Sequence, residues 1–175
     1  MKSLAPFDRE QGQPAKLPSH PKPDLLLDIL WSGAIGSFAS ALAAGGSARA
    51  EGRGALQPLN ATSHWLHGER AGRVRRFDAA HTGVGLATRI ASALFWAVPY
   101  SLWLQRKSER SAEEIIVGGA ATAAMAATVD YLAMPRRLTP GWELALSRRS
   151  IGITFVGLAL GLAGGALLAR SLPGD

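Results

Sequence analysis

Four apolar stretches, separated by polar and mostly basic segments, run along this chain. The last stretch, residues 150–169, contains no charged side chain, and it matches the length of about 20 residues that a helix needs to cross a bilayer core. Three earlier stretches of similar character cover residues 25–48, 79–105 and 113–134. The pattern predicts an all-α membrane protein in which residues 24–170 form a bundle of four transmembrane helices.

The second stretch is the least regular of the four. His81 and Arg89 interrupt its apolar run, and Pro99 is expected to kink its far end. It is therefore the predicted span with the weakest support from hydropathy.

The segments outside these stretches are polar or only briefly apolar. Residues 1–23 are polar and rich in proline, which favours a disordered or extended tail, and residues 171–175 form a C-terminal tail. The first loop reads ALQPLNATSHWLHG over residues 55–68, and the third loop reads PRRLTPGWELALSRR over residues 135–149. Each is predicted to hold a short interfacial helix, since neither is long enough to span a membrane.

Small residues recur at every fourth position in the first and last stretches. These two ladders are Gly33, Ser37, Ala41 and Gly45 in the first stretch and Gly157, Gly161 and Gly165 in the last. This spacing lets two helices approach closely, so leucine at a ladder position is expected to disrupt packing, whereas alanine at Gly161 should be mild. The ladders offer more close contact than a four-helix monomer requires, which favours self-association or assembly with other membrane subunits.

Composition narrows the class of protein further. The net charge is +6 with a pI near 10.5, but most basic residues lie between the apolar stretches, where they suit the head groups of a lipid bilayer better than nucleic acid. Abundant Arg, Ala and Gly are typical of GC-rich bacterial genomes, so the expected location is the bacterial inner membrane, with several passes. The absence of cysteine excludes disulfides and Cys-ligated metals. No catalytic motif is recognisable, and we expect no enzyme activity.

Two charges fall inside predicted spans, Arg89 in the second and Asp130 near the end of the third. Alternating topology places both near the same side of the membrane. Because an unpaired charge at that depth is costly, the two are predicted to form an intramembrane ion pair. This pair would either lock two helices together or line a substrate or proton path, and snorkelling of Arg89 to the interface is a further alternative.

The first loop carries the other polar cluster. On a helix beginning near Pro58, the side chains of Asn60, His64 and His67 share one face. We expect this polar face to turn inward, towards His81 and Arg89. His64, His67 and His81 are candidates for binding a metal or a haem iron, although no carboxylate lies nearby in sequence to complete a metal site. The alternative is an interfacial helix whose Asn and His bond to backbone and head groups.

Two motifs carry a resemblance. The sequence N-x-x-S-H-W-x-x-G spans Asn60 to Gly68, and D-Y-x-x-x-P-x-R-L-T-P-G-x-E spans Asp130 to Glu143. Together they resemble an uncharacterised family of small four-helix proteobacterial inner-membrane proteins. The resemblance implies the bundle and the location, and it brings no activity with it.

Three functions are compatible with these features. The first is an accessory or structural subunit within a larger membrane complex. The second is a small transporter or channel-like protein with a polar seam of Arg89, Asp130, Asn60 and His64. The third is a haem- or metal-binding membrane protein that uses the three histidines.

Overall fold

The computed structural model describes residues 24–107 and 109–172, and the regular secondary structure of these residues is entirely helical. The α-helices are α1 (Leu25–Ala50), α2 (Gln57–Ala61), α3 (His64–His67), α4 (Ala79–Gln105), α5 (Ala112–Thr128) and α6 (Arg148–Ser171). A π-helical turn, Val129–Ala133, extends α5, and 3-10 segments cover Glu69–Arg73, Arg136–Leu138 and Trp142–Leu144. The predicted tail of residues 1–23 and residues 173–175 lie outside the described residues.

Three of the described helices are long and apolar enough to cross a membrane. They are Leu25–Ala50, Ala112–Ala133 and Arg148–Ser171. Helix α4 is 27 residues long but is not among them, since His81, Arg89 and several hydroxyl side chains lower its hydropathy. The all-α class is confirmed for the described residues, and three helices suited to crossing a membrane indicate a membrane protein. The fourth span and the surface position of the short helices stay predictions.

The four long helices form a ring in which each is antiparallel to its neighbours. Helix α1 packs between α4 and α6, and α5 closes the ring by contacting both α4 and α6. The first loop, with α2 and α3, folds against the start of α4, at the same end as the third loop. This end of the bundle, which we call the loop end, contains the candidate functional residues.

Polar side chains set where the long helices begin. Asp24 accepts a hydrogen bond from Leu26 N at the start of α1, and Asp78 accepts one from His81 N at the start of α4. Ser111 and Glu114 form a capping box at the start of α5. Such caps satisfy backbone N–H groups that have no partner within the helix.

The small-residue ladder of α6 packs against α1, on a face of α1 that does not include the first ladder. A Cβ atom on Gly161 would lie 2.6 Å from Gly36 Cα, and one on Gly157 would lie 2.9 Å from Ala43 Cβ. The ladder of α6 is therefore buried in the α1–α6 contact and supplies no argument for an additional partner. The sequence suggested that alanine at Gly161 would be mild. The structure argues against this, because the alanine Cβ would meet the backbone of α1.

The first ladder divides its contacts between two neighbours, α4 and the first loop. Gly33 faces Leu94 of α4, and Gly45 faces the carbonyl oxygen of Ala55 in the first loop. Ser37 is buried, and its carbonyl oxygen accepts a hydrogen bond from Arg89. The ladder residues thus allow α4 and the first loop to approach α1 closely.

An ion pair that the sequence analysis missed closes the end of the bundle opposite the loop end. Asp28 is fully buried, and both its carboxylate oxygens are bonded by Arg170, at 3.0 and 3.2 Å. Gln105, at the end of α4, donates a further bond of 3.0 Å to Asp28 Oδ2. Asp28 lies in the first turn of α1, where the helix dipole alone favours an acidic residue, so its position in the sequence does not indicate a contact with Arg170.

Glu51 makes the equivalent connection at the loop end. It follows the last residue of α1 and accepts hydrogen bonds from Ser147 N at 3.2 Å and from Ser147 Oγ at 2.6 Å, at the start of α6. The bonds from Ser147 and Ser150 hold the pKa of Glu51 below its ordinary value of 4.5. The Glu51 carboxylate therefore ties the first long helix to the last.

We expect Glu51→Gln to lower the thermal unfolding temperature at neutral pH, because a neutral amide accepts weaker hydrogen bonds than a carboxylate does. Since the folded-state pKa is lowered, the carboxylate's contribution is complete above about pH 4.5 and is lost as the pH falls through the lowered value. When thermal unfolding is measured in detergent from neutral to acidic pH, the unfolding temperatures of the variant and the wild type should converge. Glu69→Gln, at an exposed position of the first loop, is the control; equal losses at neutral pH would contradict this role of Glu51.

Candidate ligand-binding cavity

The first loop is folded around Asn60, whose side chain is fully buried. Asn60 Nδ2 donates to the carbonyl oxygens of Val74 and Arg76, at 2.9 and 2.8 Å. Asn60 Oδ1 accepts a bond of 2.7 Å from Thr82 Oγ1, in the first turn of α4. Both polar atoms of the amide are thus occupied by the protein itself. Asn60 is directed inward, as expected, and it holds the loop to α4.

Asn60→Ala is expected to destabilise the protein by about 1–3 kcal/mol, because the loop would lose the three hydrogen bonds of this buried amide. Asn60→Asp should also destabilise, since a carboxylate cannot donate to Val74 O or Arg76 O. Thermal unfolding in detergent measures both effects. Ser47→Ala, at a half-buried position of α1, is the control. Wild-type stability in both Asn60 variants would show that the loop does not depend on this amide.

His64 connects the two loops. Its side chain is buried, and Nε2 lies 3.2 Å from the carbonyl oxygen of Arg136 in the third loop. Gly141, with φ of +75°, lies against the other face of the ring, where a Cβ would come within 2.5 Å of His64 Nδ1. Glycine is required there for both its backbone angle and its lack of a side chain. His64 is therefore packed at the contact between the loops.

His67 and His81 form a separate pair. Their ring centroids are 4.5 Å apart, and His81 Nδ1 lies 2.7 Å from Asp78 Oδ1. Hydrogen bonds from the backbone and the side chain of His81 lower the pKa of Asp78. Among the described residues, no group of three or more His, Asp or Glu side chains is placed to hold a metal ion. The structure thus brings His67 and His81 together and places His64 elsewhere.

A half-open cavity of about 270 Å³ lies beside these loops, between the long helices and the third loop. Arg89 and Asp130 are its two charged lining residues. Its aromatic walls are Trp65, Trp96, Trp142 and Phe155, and its hydroxyl groups come from Ser40, Thr62, Thr88, Ser92 and Thr139. Asn60 and His64, which were predicted to share a seam with the two charges, are not part of its lining.

Arg89 is the most unusual residue of the cavity. Its side chain is only 5% exposed, and its Nε donates a long bond of 3.4 Å to Ser37 O. The guanidinium lies over the ring of Trp142, 5.0 Å from its centroid. Its Nη2 is buried and has no hydrogen-bond partner among the described residues. A buried guanidinium is thus held in position with part of its bonding capacity unused.

The predicted ion pair between Arg89 and Asp130 is not formed. The ion pairs of the described residues, defined by N···O distances up to 4.0 Å, do not include either side chain. Asp130 lies within the π-helical turn that extends α5. The prediction assumed an α-helical register through this region and did not include the third loop. The cavity lies between the two charges.

Hydrogen bonds fix the orientation of two cavity walls. Trp65 Nε1 donates to Thr88 Oγ1 of α4, and Trp142 Nε1 donates to Thr62 Oγ1 of the first loop, both at 3.2 Å. Neither of these indole contacts was predicted from the sequence. Thr62 and Trp142 are 80 positions apart, so no local pattern indicates their contact, although Trp142 lies within the motif from Asp130 to Glu143. The result is a cavity with preorganised apolar walls and one buried cation.

Comparison with protein-family models, with curated proteins and with solved structures gives no match. The function is therefore argued from the residues of the cavity.

Proposed function

We propose that this protein binds a small amphipathic organic anion within the membrane, in the cavity beside Arg89. The observation that carries the proposal is the buried Arg89 guanidinium, whose Nη2 has no partner among the described residues and which lines the cavity. Withdrawing a cation from water costs several kcal/mol unless an opposite charge compensates it. A carboxylate of the ligand would supply the missing charge and the missing hydrogen-bond acceptor.

The remaining lining indicates the rest of the ligand. Trp96, Trp142 and Phe155 offer an apolar surface, and a volume of about 270 Å³ admits a medium-length hydrocarbon chain or a single substituted ring. Pockets of this kind, mostly apolar with a few fixed polar groups, are typical of small-molecule sites. Asp130, the other charged residue of the lining, disfavours a second negative charge on the ligand.

The arrangement in the membrane is part of the proposal. Helix α4 is the fourth span, and its polar residues Thr82, Arg89 and Ser101 are buried inside the bundle, which allows a helix of moderate hydropathy to span. The protein is then a multi-pass protein of the bacterial inner membrane. A binding site open at one end of such a bundle suits a carrier or transporter of the anion, and it requires no catalytic step.

The experiment uses tryptophan fluorescence of the purified protein in nanodiscs of neutral lipid. The probes are 8-bromo-octanoate and 8-bromo-octanol, whose bromine quenches nearby indoles. The acid should quench saturably and bind at least ten times more tightly than the alcohol, as one charge-assisted hydrogen bond predicts. Arg89→Gln should remove this difference, whereas Arg73→Gln, exposed in the first loop, should retain it. Equal quenching by acid and alcohol in the wild type would refute the proposal.

A second candidate function is that of an accessory or structural subunit in a larger membrane complex. The observation that favours it is the outer face of α5, where Ala120, Ala124 and Thr128 are exposed at four-residue spacing. Small residues on a membrane-facing surface allow another helix to pack closely. Ala124→Leu should then reduce the mass of the purified assembly in mild detergent, while Leu160→Ala on the exposed face of α6 should leave it unchanged. A monomeric wild type would exclude self-association.

A further inference from the structure

A second recess lies on the outer surface of α1, beside the first loop. It has a volume of about 420 Å³, and its lining is almost entirely apolar. Phe38 and Leu42 of α1 form one wall and are 65% and 60% exposed, and Leu56 and Leu59 of the first loop form the other. Gly46 lies in the lining with no atom within 4 Å of the position of its missing Cβ. The recess is thus an open apolar groove on the side of the bundle.

The groove leads into a cluster of arginines. The adjoining recess is lined by Arg49, Arg53, Arg75 and Arg76, and it shares Arg49, Ala55 and Leu56 with the groove. Arg75 donates to Gly52 O, and Arg53 lies 3.4 Å from Glu51. Arg49 and Arg76 form no ion pair among the described residues. Phe77, which is 72% exposed, lies beside them. The cluster therefore carries an excess of positive charge at the mouth of the groove.

The two recesses together have the dimensions and polarity of a lipid. From Phe38 to Arg49 the α1 axis rises about 16 Å, which is close to half of a bilayer core of roughly 30 Å. The apolar groove is then at the depth of the acyl chains, and the arginines are at the level of the head groups. An exposed aromatic at that level is typical of an interface.

We propose that this composite recess is a binding site for an anionic phospholipid, with its phosphate on the arginine cluster and one acyl chain in the groove beside α1. Charge complementarity determines the choice of an anionic lipid, because a zwitterionic head group would leave the excess charge of four arginines uncompensated. Arg89 lines the groove as well as the first cavity, but the lipid site is argued from the arginine cluster and does not depend on the function proposed for that cavity.

Native mass spectrometry of the protein in neutral detergent tests the site with phosphatidylglycerol and phosphatidylcholine of identical acyl chains. The wild type should retain one phosphatidylglycerol with at least tenfold preference. The double variant Arg49→Gln/Arg76→Gln should lose the preference. The matched control is Arg70→Gln/Arg73→Gln, which removes two exposed charges from the same loop outside both recesses, and it should retain the preference.

A second pair of variants tests the groove without changing any charge. Gly46→Leu should fill the groove and weaken the binding of phosphatidylglycerol at least fivefold. Gly152→Leu, at an equally open position on α6, should have no effect. Equal affinity of the wild type for the two lipids, or equal losses in both arginine double variants, would overturn the proposal. Unchanged binding in Gly46→Leu would overturn the acyl-chain groove.

Discussion

Gly161→Leu is expected to destabilise the bundle by more than about 4 kcal/mol, an effect reserved for severe disruption of packing or backbone. The Cβ of any side chain at Gly161 would lie 2.6 Å from both Gly36 Cα and Ile35 O. Both atoms belong to the backbone of α1, so relief requires the separation of two helices. Gly161→Ala should therefore also destabilise, by about 1–3 kcal/mol, the usual range for overpacking.

The matched control for this prediction is Gly164→Ala on the same helix. A Cβ there would meet only Ile35 Cγ2, at 3.9 Å, which is ordinary contact. Thermal aggregation in detergent and the mass from size-exclusion chromatography measure the effects. Wild-type behaviour of Gly161→Leu in both assays would mean that α1 and α6 do not pack along this ladder.

Arg89→Met is expected to stabilise the unliganded protein while abolishing the preference for an anion. Methionine fills a similar volume without a charge, and replacing an incompletely compensated buried charge by an apolar side chain often adds about 1–4 kcal/mol. The same substitution removes the group proposed to hold the carboxylate, so 8-bromo-octanoate should bind no better than the bromo-alcohol. A residue that reduces stability and is required for binding is typical of a functional site.

Arg110 provides the contrast for this prediction. It also lies over an indole, 3.8 Å from the centroid of Trp103, but it donates to Trp103 O and lies 3.5 Å from Glu114 Oε1. Arg110→Met should therefore destabilise, because it removes an arginine whose bonds are satisfied. The two variants should shift the thermal unfolding temperature in opposite directions. If Arg89→Met destabilises the protein as well, Arg89 is a structural residue.

Periodic features of the sequence were sufficient to predict the helices. The apolar stretches at residues 25–48, 113–134 and 150–169 match helices that can cross a membrane, because hydropathy over about 20 residues reflects the solvent that surrounds a span. The caps Asp24 and Asp78 were also predictable, since a cap depends on residues within one turn. Helices and their caps could be predicted because both depend on residues that are close together in the sequence.

Contacts between distant segments were not recoverable in this way. Arg89 was correctly identified as an unusual charge, but its partner was chosen from the charges within the spans, and the third loop places Trp142 beside it instead. Asp28 and Arg170 stand at opposite ends of the described chain. Asn60 was identified as polar and inward, whereas its partners Val74 O and Arg76 O are backbone atoms. Since every residue has a backbone carbonyl oxygen, the residue types do not show which of these oxygens accept a side-chain hydrogen bond.

The closure of the ring by α1 and α6 has a consequence for biosynthesis. Helix α1 leaves the ribosome before its principal packing partner α6, so it enters the membrane with Asp28 not yet paired with Arg170 and with its small-residue face uncovered. Asp28 can pair with Arg170 only after α4, α5 and the connecting loops have been synthesised. A chain truncated before α6 would therefore leave Asp28 without its arginine and this face of α1 without its partner helix.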